Sequence, residues 1–349
     1  MRQLYGLGLT GIILYAGWWF LSNYEVGGLG GITIKPRDGS SAPPLGSLPK
    51  LSEVADRVGV PGQNVPKSIP PLARQANVVR IASFNIQVFG QSKLAKPQAM
   101  EVIADVIRRF DIVAIQEIRS RQQDVMPRLV NLINSQGRYY DFVISEPLGR
   151  TNSTEQYAFI FDAQSVEVDS NCIYTINDPD DLMHRPPFVA AFRVRGPPPE
   201  QAFTFKLINV HTDPDETDLE LNVLDDVFNV VRNDGRGEDD VILLGDLNVD
   251  DRHLGELGRL PGLRPLLAGV ATNTRGTKQY DNLVIDARAT TEYLSVAGVF
   301  DILRQYNLNE EQALEVSDHL PIWGEFSTFE AGRPGRLANA PGNETATPR

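Results

Sequence analysis

Apolar and polar positions along this chain fall into three textures. The first is an almost wholly apolar run, Leu4 to Leu21, ending in Trp18-Trp19-Phe20; Arg2 precedes it and Glu25 is the next charge. About 18 to 20 apolar residues span a bilayer. The aromatic cluster suits an interfacial belt and Arg2 suits a cytoplasmic start. Residues 1–24 therefore read as an uncleaved membrane anchor, with a cleaved signal peptide as the competitor. Either puts the rest of the chain across the membrane, anchored and extracytoplasmic in the first case and secreted in the second. The second texture, residues 25–76, is rich in Gly, Pro and Ser, as in Gly27–Gly31, Ala42-Pro-Pro and Ile69-Pro-Pro. It reads as a tether with one short helix over Leu51–Val58.

The third texture, residues 77–329, carries regular periodicity. Val78–Phe84 alternates like a strand. Ala99, Val102, Ile103, Val106, Ile107 and Phe110 share one helical face. Asp111–Gln116 is a buried strand, and Val125–Ile133 repeats the helical spacing. Strands follow near 142–144, 157–161, 188–194 and 203–210, then a helix near Leu219–Val231. Val241-Ile-Leu-Leu-Gly245 is an apolar strand closed by glycine, and Asp246 and Asn248 leave its end. Side chains two apart in an extended chain point to the same side. Asn282–Ile285 and Ile322–Phe326 complete the strands. From residue 330 to 349 the composition is that of a disordered tail.

Polar residues recur where these strands end: Asn85, Glu117, His211, Asp246 with Asn248, Asp281, and Asp318 with His319. Any one alone reads as a turn or cap residue. The recurrence on one scaffold reads as a site. Carboxylates and a carboxamide are hard oxygen ligands suited to Mg²⁺, Mn²⁺ or Ca²⁺. Two histidines supply proton transfer near neutral pH. No Gly-x-Ser-x-Gly elbow or phosphate-cradling Gly-rich loop occurs. The inventory fits metal-assisted attack by water on a phosphate ester. His184 and His253 read as surface histidines.

Composition narrows the partners. Over 349 residues the net charge is -12, which argues against a general nucleic-acid coat protein. It leaves room for a local grip, because Arg119, Arg121, Arg150, Arg185, Arg275 and Lys278 fall in loops assigned to the same face. The single cysteine, Cys172, allows no intramolecular disulfide.

Seven segments occur in order: Ser83-Phe-Asn-Ile-Gln-Val-Phe-Gly90, Asp111-Ile-Val-Ala-Ile-Gln-Glu-Ile-Arg119, Ser145-Glu-Pro-Leu-Gly-Arg150, Val210-His-Thr, Gly245-Asp-Leu-Asn248, Tyr280-Asp281 and Ser317-Asp-His-Leu-Pro321. Together they resemble the endonuclease/exonuclease/phosphatase superfamily, and within it the deoxyribonuclease I branch, over about Val78–Phe329. The resemblance implies an α/β fold, a four-layer α-β-β-α sandwich of two facing mixed β-sheets. It implies that Glu117, with Asn85 nearby, binds the catalytic metal, Mg²⁺ or Mn²⁺, and that Asp318 sits beside Asp246 and Asn248 in reach of a second ion. Asp246 and Asn248 would orient water and phosphate. His211 would pair with Glu155 and His319 with Asp281, one imidazole acting as base and the other as acid. Arg119, Arg150 and Arg185 match substrate-contacting arginines.

The implied activity is metal-dependent endonucleolytic cleavage of DNA. Two departures bear on it. Ser153 stands where the branch has a groove-reading tyrosine, and the acidic Asn177–Asp181 stands where a loop would carry cysteines. That loop, and Thr272 with Thr274, are weak candidates for structural Ca²⁺. The alternatives are a phosphodiesterase or phosphatase of the same fold acting on lipid headgroups or small phosphoesters, and an inactive tethered binding module.

Overall fold

The computed structural model describes residues 24–27, 33–36, 76–150 and 154–332. The expected anchor up to residue 23, the Leu51–Val58 helix, Ser153 and the tail beyond 332 lie outside these residues. Among the described residues no helix is long and apolar enough to cross a membrane. Within the expected tether, β1 (Tyr24–Gly27) and β2 (Thr33–Pro36) pair antiparallel, an element that the glycine run between them had hidden.

The larger unit contains β3 (Val78–Phe89), β4 (Ile112–Ile118), β5 (Tyr140–Ile144), β6 (Gln156–Asp162), β7 (Val166–Thr175), β8 (Phe188–Val194), β9 (Thr204–His211), β10 (Val241–Asp246), β11 (Leu263–Pro265), β12 (Asp281–Asp286), β13 (Tyr293–Val299) and β14 (Ile322–Ser327). These form two six-stranded sheets, ordered β13-β14-β3-β4-β6-β5 and β11-β12-β10-β9-β8-β7. The pairs β3–β4 and β9–β10 are parallel; the other neighbours are antiparallel. Both sheets are therefore mixed.

The period of two in each strand explains the layering. Ile112 and Ala114 of β4 and Ile242 and Leu244 of β10 enter one core between the sheets. There Phe159 stacks on Phe188 at 5.6 Å, and Phe203 stacks on Phe205 at 4.6 Å. The alternate residues face outward. Val113 and Ile115 pack under α2 (Pro97–Ile107), α3 (Val125–Asn134), α6 (Ile302–Tyr306) and α7 (Glu310–Val316), after the short α1 (Gln91–Leu94). Val241 and Leu243 pack under α4 (Thr217–Leu221) and α5 (Leu224–Arg232). Helices on both outer faces complete a four-layer α-β-β-α sandwich.

The single helix expected over Leu219–Val231 is two. The chain breaks at Asn222, whose Oδ1 accepts the Glu256 amide at 3.0 Å. Register then sets the chemistry. His211 of β9 lies opposite Asp246 of β10, and Asp246 lies opposite Asp281 of β12. Three neighbouring strands thus present three reactive side chains in a row.

Candidate active site

The site lies where β3, β4, β9, β10 and β12 meet. Two local distortions build one side of it. The pairing of β3 with β4 shifts between Asn85 and Phe89, and that of β4 with β6 shifts between Ile115 and Ile118. Val88 and Glu117 both take positive φ, 48° and 61°. Such backbone costs on the order of 1–3 kcal/mol per residue and persists where surrounding contacts hold it. Here the holding contacts are visible. Glu117 accepts the Val88 amide at 2.9 Å and the Asn85 side-chain amide at 3.2 Å. Gly90 lets the turn close, since a Cβ there would meet the Arg119 carbonyl at 2.4 Å.

A matching constraint positions Asp246. At Gly245 φ is +146° and a Cβ would lie 2.0 Å from the Val210 carbonyl oxygen, so only glycine lets β10 run this close to β9. Asp246 Oδ1 accepts the Asn248 amide at 3.0 Å, and the Asn248 side chain donates to the Thr212 carbonyl at 2.8 Å. Asp246 Oδ2 accepts from Asn85 Nδ2 at 3.0 Å, which ties the two sheets together.

Two carboxylate–imidazole pairs flank that same oxygen. Nδ1 of His211 meets Glu155 at 3.1 Å and Nδ1 of His319 meets Asp281 at 2.9 Å. The opposite ring nitrogens face Asp246 Oδ2, at 3.6 Å from His211 and 3.5 Å from His319. Both Nε2 atoms are thus aimed into one space. Burial opposes the His211 charge, yet the Glu155 hydrogen bond and the Asp246 charge outweigh it and lift its pKa above the usual value. His319 lies well above the usual value because Asp281 and Asp246 overcome burial in the same way. Burial works against the Glu155 anion too. His211, Arg185 and Arg119 nevertheless hold its pKa down to about 2.

Surrounding residues fix these groups. Thr272 donates to Asp281 at 2.7 Å and accepts the Asp281 amide at 3.1 Å. The Ser317 hydroxyl donates to the Asn85 carbonyl at 2.7 Å and accepts the His319 amide at 3.1 Å. Tyr157 accepts the His211 amide at 2.9 Å, and Gln87 donates to Asp318 at 2.9 Å.

The endonuclease/exonuclease/phosphatase family matches residues 82–334. The chain belongs to that family. It is a hydrolase of the group, and the fold agrees. Humanized D. rerio TDP2 superimposes with a TM-score of 0.50 at 15% identity, covering 72% of this chain and 100% of that one. Among curated relatives, deoxyribonuclease-1-like 1 of Homo sapiens is 33% identical over 272 residues, 74% of this chain and 88% of the relative. Deoxyribonuclease gamma of Rattus norvegicus is 32% identical over 261 residues, 70% of this chain and 83% of the relative.

A metal is implied by the family, and the donor chemistry fits it. Glu117, Asn85 and Asp318 offer only oxygens as hard ligands. Asn85 Oδ1 and Asp318 Oδ1 are both buried without a hydrogen-bond partner. Asp246, Asp281 and His319 also lie within 4.8 Å of one another. There, however, the His319–Asp281 bond already occupies two of the ligand atoms, so Glu117, Asn85 and Asp318 are the better fit to a cation.

The arginines divide. Arg119 lies between Glu117 and Glu155 at 3.3 and 3.2 Å and borders a cleft of about 380 Å³ with Arg121, Pro147 and Thr154. Arg185 is buried and donates to Glu155, the His211 carbonyl and the Thr212 carbonyl at 2.6, 3.1 and 3.1 Å. It braces the pair from behind. Arg150 is not brought to the cluster; Asp181 and Glu216 take its guanidinium. The two loops expected to hint at Ca²⁺ are also engaged. Asp178 accepts the amides of Leu182 and Met183, and the Thr274 hydroxyl donates to the Ser317 carbonyl. Gln87, Tyr157 and Ser317 were not singled out from sequence, although Ser317 and Gln87 lie inside the quoted motifs.

Proposed function

We propose that this chain is a divalent-metal-dependent phosphodiesterase that cleaves DNA as an endonuclease. The observation that carries the reading is the row Glu155–His211, Asp246, His319–Asp281, with both imidazole Nε2 atoms directed at one carboxylate oxygen. In-line displacement needs a proton taken from water on one side of phosphorus and a proton given to the leaving oxygen on the other. Two oriented imidazoles supply both, Glu155 and Asp281 each holding a ring by Nδ1. Asp246 and Asn248 are assigned to the attacking water and the phosphate. Glu117, Asn85 and Asp318 would hold Mg²⁺ or Mn²⁺, which when bound polarises the phosphoryl oxygen as a Lewis acid. Arg119 is assigned to the nucleic-acid backbone along the cleft beside it. The similarity to proteins named deoxyribonuclease supports DNA as the substrate class.

One observation favours a second reading. With Arg150 paired to Asp181 and Glu216, the phosphate-contacting surface is smaller than a long duplex footprint would use. A lipid headgroup or another small phosphoester would need less.

One assay separates the readings. The purified full chain is incubated with supercoiled plasmid and Mg²⁺, beside EDTA and Asp246→Ala controls. Metal-dependent nicking lost in both controls is expected. Hydrolysis of a small phosphodiester without nicking would replace DNA by the smaller substrate. No activity on either, from folded protein, would leave a binding module. We also propose that Leu4–Leu21 anchors the chain with its catalytic unit extracytoplasmic; protease protection of that unit on the cytoplasmic side would refute it.

A further inference from the structure

On the faces that the two sheets turn toward each other, β3, β4, β9 and β10 carry apolar side chains until they near the site. On β10 the change is abrupt, Ile242 and Leu244 giving way to Asp246. On the other three strands polarity begins one layer deeper. Ser83 precedes Asn85 by two residues, Asn209 precedes His211 by two, and Gln116 immediately precedes Glu117. Ser83 is 1% exposed, and Gln116 and Asn209 are 0% exposed. Asn209 is paired between Phe188 of β8 and Leu244 of β10, both apolar and buried, so strand packing alone does not call for an amide there.

These three side chains satisfy one another and one break in the backbone ladder. Gln116 Nε2 donates to Asn209 Oδ1 at 2.6 Å and to the Ser83 hydroxyl at 3.0 Å. Asn209 Nδ2 donates to the carbonyls of Ile115 and Ala158, both at 3.1 Å. Ile115 and Ala158 are the last matched pair of β4 and β6 before the register shifts toward Ile118. That shift contains Glu117 with its positive φ. A bulge re-aims side chains beside a site and disrupts the ladder locally. Here an amide from the opposite sheet takes the two carbonyls at the edge of the bulge.

Such a network adds little net stability. Apolar groups of the same shape would fill the space about as well, whereas a fully bonded polar network favours one arrangement. The arrangement favoured here places Glu117 on one sheet relative to His211 on the other. We propose that Asn209, acting with Gln116, is a positioning residue that locks the bulge between β4 and β6 to β9. It thereby sets the cation-holding Glu117 against the proton-transferring His211. The inference rests on the roles proposed above for those two residues.

The test compares the full chain with Asn209→Leu, similar in volume but unable to hydrogen-bond, and with Phe188→Leu, which disturbs the same layer and leaves the network intact. Calorimetry reads Mg²⁺ and Mn²⁺ affinity, and plasmid nicking or a small phosphodiester reads kcat and KM. Asn209→Leu should weaken cation binding about 10-fold and lower kcat ~10- to 100-fold, with KM changed less than about threefold. Phe188→Leu should leave cation affinity within about threefold of the wild type. Unchanged cation affinity in Asn209→Leu would overturn the proposal, and so would an equal loss in Phe188→Leu or a wild type that binds neither cation. If Asn209→Leu does not fold, Asn209→Ser, which keeps the position polar with a shorter side chain and one donor, must show the same loss. A wild type that binds cation but hydrolyses no phosphoester would refute the proposed function instead, and the calorimetry would still decide the role of Asn209.

Discussion

The two ends of the sandwich both bury several carboxylates, yet their protonation is driven in opposite directions. At the hydrolytic end Glu155 touches His211, Arg185 and Arg119, and its pKa sits at about 2 despite desolvation. At the other end burial and Glu292 push Asp240 up to about 9 and Glu330 up to about 7. Desolvation is common to both. What differs is the neighbouring charge, His211, Arg185 and Arg119 around Glu155 against further carboxylates around Asp240 and Glu330. The end with His211 and Arg185 carries its own compensation. At the other end neighbouring carboxylates add to the desolvation.

The largest effect is expected at the imidazoles. His211→Ala or His319→Ala should each lower kcat by ~10²–10⁴-fold, because each removes one proton-transfer partner. A plasmid-nicking time course measures this. A loss under about threefold in either variant would remove that ring from the chemistry. Glu155→Gln comes next, with a loss of roughly 10- to 100-fold from misorienting His211. Glu155 also helps raise the His211 pKa, so the limb of the pH–rate profile that His211 sets should move to lower pH. A profile that loses height without shifting would leave Glu155 a packing role only.

Stability against pH sharpens the contrast. Glu155 is depressed, so its contribution is present above its unfolded pKa and is lost as pH falls from about 4.5 toward about 2. Asp240 is raised, so its effect has the opposite sign. Its stabilising protonated form is complete below the unfolded value of 3.8 and is lost as pH rises through about 9. In EDTA, the midpoint of thermal unfolding should therefore decline from pH 6 to pH 9, and Asp240→Asn should flatten the decline. A flat wild-type curve would count against the crowded cluster. The smallest effect is expected at Arg150. Its partners Asp181 and Glu216 are exposed, and such pairs contribute about 0–1 kcal/mol. Arg150→Ala should change nicking by less than about threefold and barely move the urea midpoint. A tenfold loss would mean that Arg150 leaves its partners to grip substrate.

The strands with strict alternation were legible from sequence. Phe188–Val194 was read to the residue, and β9 and β12 to within a position. The polar residues at their ends were legible for the same reason, since an apolar run makes its polar terminus conspicuous. The edge strands β7 and β13 were not read. Each exposes much of both faces, so the period of two fades. The helix α7 was missed although Asn309 and Gln312 form a capping box, because its apolar stripe is only Ala313 and Val316. Positive φ at Glu117 and Val88 left no trace in composition. The partners of Arg150 and the cluster of Asp240, Glu292 and Glu330 come from segments far apart in sequence, and no spacing rule joins them.

The register of β10 carries one more consequence. His211, Asp246 and Asp281 sit side by side because β9, β10 and β12 pair without a shift. Slipping β10 by one residue would put Gly245 or Leu247 where Asp246 stands and turn its apolar face the wrong way. A mispaired molecule could keep much of its secondary structure and have no acidic group between its imidazoles. Turnover per folded molecule is therefore a fidelity readout. It counts chains whose strands were aligned correctly, and it distinguishes them from misaligned chains that far-ultraviolet spectroscopy would score as native.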